Sequence, residues 1–276
     1  MGQQVLLQGA NFVDEKYPVL QADQRLNNGS LLLLDLSHSL NNISGVPSNS
    51  AVIPNIAHEI SSGIVGGGDA QTLGVKFITD ATSSTIVLER TSKGALHGIV
   101  SDTARNEKTA GFKLDTSSNE LFQYLKANKN RNYAVFLWAY VTRQTTATGN
   151  INDTLGFVNT ASAAGNNMLG GSVPNTQGLQ RLALNAPTGF SGSLNADDNL
   201  NNGFPFFWGQ TPPYSPLNPN KGKSMILYAY HLIDVDLSGK TYAELNAIDA
   251  ALFNQYFSVG GRFYNDTWSD PASVLA

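Results

Sequence analysis

The stretch that decides the fold class is Met225-Ile226-Leu227-Tyr228-Ala229-Tyr230-His231-Leu232-Ile233, with the passage that follows it. An apolar run of this kind, rich in Ile, Leu and Tyr, reads as a buried strand. Asp234, Asp236, Ser238 and Gly239 supply the turn chemistry that stops it. Thr241-Tyr242-Ala243-Glu244 then reads as a capping box, in which the hydroxyl and the carboxylate each satisfy an orphan backbone donor at a helix start. Leu245, Ile248, Leu252, Phe253 and Tyr256 recur at helical spacing, which predicts a helix over about 241–258 with one apolar face. Gly260-Gly261 closes it. The chain upstream is β-rich, so this C-terminal α-helix is expected to cover a sheet.

Working outward, Tyr133-Ala134-Val135-Phe136-Leu137-Trp138-Ala139-Tyr140-Val141-Thr142 is apolar on both faces, as a central strand covered on each side should be. Further strands are expected at residues 31–36, 73–78, 85–90, 95–100, 154–158 and 179–184, and a short helix capped by Ser118 at 118–126. The passage rich in Ser, Asn, Gly and Pro that ends at Gly68 shows few strand-forming runs, which suggests irregular packed structure or contact with a partner. Residues 1–28 end in the turn signal Asn27-Asn28-Gly29-Ser30 and read as an N-terminal arm or edge segment, with 29–276 a single domain. No repeat of fixed period emerges. The expected class is mainly β, an antiparallel β-sandwich.

Composition narrows the function classes. Charged residues make up 14% of the 276 residues, against about 25% in an ordinary soluble protein, and Gly and Asn are frequent. A polar but weakly charged surface suits packing against neighbours, because it avoids the cost of desolvating charge. The net charge of −4 and the scattered Lys and Arg argue against a nucleic-acid partner. There is no Cys, hence no disulfide framework or thiolate metal site. The longest apolar run is Leu31-Leu32-Leu33-Leu34 and the first residues lack secretory character, so synthesis in the cytoplasm without membrane insertion is expected.

Motifs for chemistry are weak. Gly222-Lys223-Ser224 has the tail of a phosphate-binding loop, but Leu217 stands where its first Gly is required. The run at 62–68 is glycine-rich without dinucleotide-binding spacing. His38, His58, His97 and His231 stand alone, and His231, inside an apolar strand, reads as a hydrogen-bonded core histidine. The Glu residues are dispersed, and Glu244 already has a capping role. No catalytic residue, metal or cofactor is assigned. Asn195-Ala196-Asp197-Asp198-Asn199 could offer oxygens to Ca²⁺ through Asp197 and Asp198, although the same letters are ordinary turn chemistry. One loop combines aromatics with rigid backbone, Phe204-Pro205-Phe206-Phe207-Trp208-Gly209-Gln210-Thr211-Pro212-Pro213-Tyr214. Either Phe206, Phe207 and Trp208 are core and only Tyr214 is exposed, or Trp208, Tyr214 and Phe207 form a contact for a sugar face or another subunit.

The passage at 238–249, Ser-Gly-Lys-Thr-Tyr-Ala-Glu-Leu-Asn-Ala-Ile-Asp, with Gly260-Gly261-Arg262-Phe263-Tyr264-Asn265-Asp266-Thr267, resembles the C-terminal end of virion proteins of tailed bacteriophages. The central strand and the late Leu-Tyr-Ala-Tyr strand resemble the concanavalin-like, laminin-G-type jelly roll that such proteins often carry. The resemblance implies a non-enzymatic component of a virion tail, baseplate or capsid, assembled in the host bacterial cytoplasm, with other virion proteins and further copies of itself as partners. It also implies an alternative, a lectin-like module for host surface glycans. An endoglycanase is a remoter implication, because the closely spaced Glu and Asp that glucanases carry on one strand are missing here.

Overall fold

In the computed structural model the described residues are 23–41, 43–103, 109–145, 155–159, 166–186, 200, 202–209 and 222–275. Their elements run β1 (Ser30–Leu34), β2 (Val52–Ile53), α1 (His58–Val65), β3 (Val75–Thr79), β4 (Ile86–Arg90), β5 (Leu96–Val100) and β6 (Thr109–Lys113). Then come α2 (Glu120–Ala127), β7 (Tyr133–Arg143), β8 (Leu155–Asn159), β9 (Asn166–Gly171), β10 (Gly178–Ala186), β11 (Asn202–Phe204) and β12 (Phe206–Gly209). The chain closes with β13 (Ser224–Asp234), α3 (Val235–Ser238), α4 (Tyr242–Phe257) and α5 (Pro271–Val274). The protein is mainly β, and every described strand pairing is antiparallel.

The largest sheet has the order β10-β7-β13-β5-β4, with β1 also pairing β13. β13 therefore lies at its centre, beside β7 along its whole length and beside β5 and β1 in turn on its other edge. A four-stranded sheet, β12-β6-β3-β2, and a three-stranded one, β11-β8-β9, complete the β structure. One core joins all three: Phe77, Phe112 and Trp208 of the four-stranded sheet and Phe157 of the three-stranded sheet share a cluster with Leu137 and Leu227 of the large sheet.

Along β7, Tyr133, Val135, Leu137, Ala139 and Val141 enter this core, while Phe136 and Trp138 point to the opposite face, where α4 packs. β13 keeps the same division by means of a bulge. Leu227 lies opposite Ala139 and Ala229 opposite Trp138, so Tyr228 is the extra residue. Because side chains alternate with a period of two, this insertion exchanges the faces beyond it: Tyr230 and Leu232 turn into the core and His231 turns towards α4.

The helix α4 begins at Thr241 with a complete capping box, the Thr241 N–H donating to Glu244 Oε2 at 2.7 Å and the Glu244 N–H donating to Thr241 Oγ1 at 3.3 Å. Its buried stripe is Leu245, Asp249 and Leu252, whereas Ile248 is 42% exposed. Apolar spacing placed Ile248 on the inner face. Asp249 takes that face instead because its carboxylate has donors waiting on the sheet. Trp138 meets Phe253, Tyr256 and Phe257 edge to face at centroid separations of 5.2–6.2 Å.

Three local findings differ from the sequence reading. The passage ending at Gly68 contains α1, whose N-cap, Ala57, offers no side-chain bond and whose Ser-Ser-Gly interior weakens any helical signal. The cap of α2 is Asn119 rather than Ser118: its Oδ1 accepts from Phe122 N–H at 3.0 Å, while its Nδ2 donates to the carbonyls of Thr72 and Gly74. The residues after Asp234 form α3, capped by the Asp234 carboxylate and ended by Gly239 in the left-handed region.

Two glycines give the packing opposite tests. A Cβ on Gly98 would lie 2.5 Å from Trp208 Cδ1, and that indole is pinned by its own hydrogen bond to the Met225 carbonyl at 2.8 Å. Gly98→Ala is expected to cost about 1–3 kcal/mol through overpacking. Gly63, inside α1, would meet nothing within 4 Å, so Gly63→Ala is expected to stabilise by up to about 1 kcal/mol. Urea unfolding of the two variants measures both signs.

Candidate functional site

Ionisable side chains gather on the helix side of the large sheet. Arg25, in the segment leading into β1, lies buried with its guanidinium over the rings of Trp138 and Tyr256, at 5.6 and 5.5 Å. It donates from Nε and Nη2 to the Asp23 carboxylate at 2.9 and 2.6 Å, and from Nη2 to Asp35 Oδ2 at 2.9 Å. Arg262, from the turn after α4, reaches the same Asp35 oxygen at 3.2 Å. Burial pushes Asp23 up, but the Arg25 hydrogen bonds and charge outweigh it and hold the carboxyl at about 2. His38, 4.0 Å from Asp23, is lowered by burial despite the two carboxylates beside it. Removing one partner from a buried network of this kind costs about 3–5 kcal/mol, because the opposite charge is stranded.

Beside this network a cavity of about 520 Å³ is lined by Asp23, Gln24, His38, Gln255, Tyr256 and Arg262, among others. A carboxylate, an imidazole, a guanidinium, two carboxamides and an aromatic ring thus border one open space. Val259, on its rim, is 82% exposed. A second cavity of about 630 Å³ shares Asp23 and His38 and runs along the start of α1. The set is suited to hydrogen-bonding a neutral polar ligand, since its charges are largely neutralised by one another.

A second constellation has the outline of a nucleophile relay. His97 Nδ1 lies 2.8 Å from Glu89 Oε1, and His97 Nε2 lies 2.8 Å from Thr142 Oγ1. Glu89 faces His97 across the β4–β5 pair, so strand register alone brings acid and imidazole together. Yet His97 is fully buried and Thr142 nearly so, and none of the cavities described above borders them. Glu89 also accepts from the Ser269 N–H and Oγ at 2.8 and 2.7 Å. Burial pushes Glu89 up, but these donors outweigh it and lower its pKa, and burial lowers His97. The relay works as a fastener that holds the segment after α4 to the sheet, helped by Ser92 Oγ donating to Asp266 at 3.0 Å and Arg143 donating to the Leu275 carbonyl at 2.7 Å.

A third constellation is centred on Asp249, which accepts from Trp138 Nε1 at 3.2 Å and from Arg181 Nε at 2.5 Å. Burial raises its pKa, an effect Arg181 partly offsets. This triad locks α4 to β7 and β10.

The residues singled out in the aromatic loop fall elsewhere. Trp208 and Phe207 are buried at 0 and 2% exposure, which corrects their assignment as a ligand or subunit contact. Trp208 packs edge to face on Phe206 at 4.7 Å and fills the space left by Gly98, so Trp208→Ala would probe stability rather than adhesion. Tyr214, Asp197 and Asp198 lie outside the described residues. Among the described residues no group of three or more His, Asp or Glu is set to hold a metal ion, and no helix is long and apolar enough to cross a membrane. The Arg25 network escaped sequence reading because its members come from three separated segments, although Asp23 and Arg25 stand two apart in an otherwise weakly charged region. Neither protein-family profiles nor curated proteins give a match to this chain.

His231 is a hydrogen-bonded core histidine, as its strand context implied. Ser30 Oγ accepts the Asn27 N–H at 2.9 Å and shares a hydrogen bond with His231 Nε2 at 2.9 Å. Burial first, and then the nearby Arg25 charge, lower its pKa to about 3 from the usual 6.5. Below pH 6.5 the unfolded chain takes up a proton that the folded chain refuses, so stability falls on acidification until about pH 3. The slope is about 1.4 kcal/mol per pH unit for one such imidazole. Urea unfolding between pH 7 and pH 5 should show this loss, and His231→Gln should flatten it; identical slopes in the two chains would contradict a neutral buried His231.

Proposed function

We propose that this chain is a non-enzymatic structural component of a tailed-bacteriophage virion, placed on the tail, baseplate or capsid surface, that works through protein–protein contacts. It is built in the host bacterial cytoplasm and carried on the particle with other virion proteins and further copies of itself. Its sandwich is of the jelly-roll, concanavalin-like kind. The observation that carries the reading is the use made of the ionisable groups. Glu89–His97–Thr142, Asp249–Arg181 and Asp23–Arg25–Asp35 each tie one chain segment to another, while the chain as a whole is polar with only 14% charged residues. A protein with that distribution offers surfaces to its partners at low desolvation cost. The C-terminal resemblance points in the same direction.

A second reading, host-glycan recognition, is favoured by the cavity of about 520 Å³ with its carboxamides and half-buried Tyr256. Immunogold labelling with antibodies to the purified protein, applied to phage particles from the source culture, tests the first reading. Labelling at one repeated position on the particle is expected, and particles free of the chain would refute it. A glycan-array screen tests the second. Binding that Gln255→Ala with His38→Ala abolishes would locate recognition in this cavity, and binding untouched by those changes would remove the cavity from consideration.

A further inference from the structure

Among the described residues the large sheet ends at β10, an edge strand without proline or bulge. β10 is nine residues long, GLQRLALNA, without proline or lysine. All nine residues pair with β7 in unbroken register, from Gly178 opposite Val141 to Ala186 opposite Tyr133. On the outer side, among the described residues, no backbone hydrogen bond reaches the strand. Among the described residues, every second residue thus presents an N–H and C=O without a backbone partner, in a row about 30 Å long. The opposite end of the sheet is different: β4 has five residues, carries Glu89 and Arg90, and its Glu89 holds the segment after α4. Natural sheets blunt their edges with charge, proline, bulges or short strands; β10 has no proline and no bulge, runs to nine residues, and spends its one charge, Arg181, on Asp249.

We propose that β10 is an interface at which a second copy of this chain adds its own β10 antiparallel, joining two large sheets into one continuous sheet about a two-fold axis. Centred on Leu182, the register sets Leu179 beside Asn185 of the second copy, Gln180 beside Leu184 and Arg181 beside Ala183. The strand's one charge, Arg181, is already held by Asp249 at 2.5 Å on the helix side, so no like charges meet across the axis. The pairing is self-complementary and closes after two copies, which an arbitrary foreign strand does not guarantee. It also covers Leu182 and Leu184, which stand half-buried at the edge and pack on the core. This inference goes beyond the virion reading and stands apart from it: a dimer absent from phage particles would refute that reading and leave this one intact.

Sedimentation velocity of the full chain from micromolar to hundred-micromolar concentration is the first test. The chain contains no cysteine, so Leu179→Cys carries a single nitroxide label at an exposed site. A dimer is expected, with the two label sites about 20 Å apart along the backbone. Leu179→Lys with Gln180→Lys, charges added at the edge, should return it to monomer. A wild-type monomer throughout, an oligomer indifferent to the lysines, or labels far beyond that separation would each overturn the proposal. Should the lysine variant fail to fold, the label distance decides alone.

Discussion

Strands β7 and β13 are apolar on both faces, and a sheet with such a centre needs a cover on each side. Each uncovered face would leave a strip of large side chains in water, at about 25 cal/mol for every Å². The four- and three-stranded sheets cover one side, with Phe77, Phe112, Phe157 and Trp208 in the shared core. Helix α4 covers the other, meeting Trp138 and Ile226 through Leu252, Phe253 and Tyr256. The bulge at Tyr228 keeps β13 in phase with this demand along its whole length. The helix is therefore a third layer of the fold.

Ionic groups decide how that layer is held. Asp249 displaces Ile248 from the inner stripe of α4 because it satisfies the Trp138 indole and the Arg181 guanidinium together. Arg25 brings the segment before β1 onto the same face, its guanidinium lying over the rings of both Trp138 and Tyr256. Glu89 then fastens the residues beyond α4. Hydrophobic burial is non-directional, so it can bring the helix to the sheet but cannot choose its rotation. These paired and hydrogen-bonded groups fix the rotation.

Much of this was legible in the sequence. The apolar runs at 133–142 and 225–233 are strands, and the Thr241–Glu244 pair forms its capping box, because each is encoded within a few residues. Helix α1 was not legible, since Ala57 gives no cap and the interior carries Ser-Ser-Gly. Ile248 and Asp249 were exchanged because spacing measures hydrophobicity and ignores a donor waiting across the sheet. Trp208 was open to two readings. Its burial depends on Gly98, whose missing side chain makes the pocket from a distant segment. The Glu89–His97 pair follows from strand register, which sequence alone did not supply.

The central claim is that α4 and the strand pair β7–β13 form one cooperative body. Native-state hydrogen exchange resolved by residue tests it most directly. The account predicts that interior amides of α4, β7 and β13 exchange only through the same global opening, with equal free energies and equal denaturant dependence. Amides of α4 that exchange through a separate opening several kcal/mol below that of the strands would contradict it.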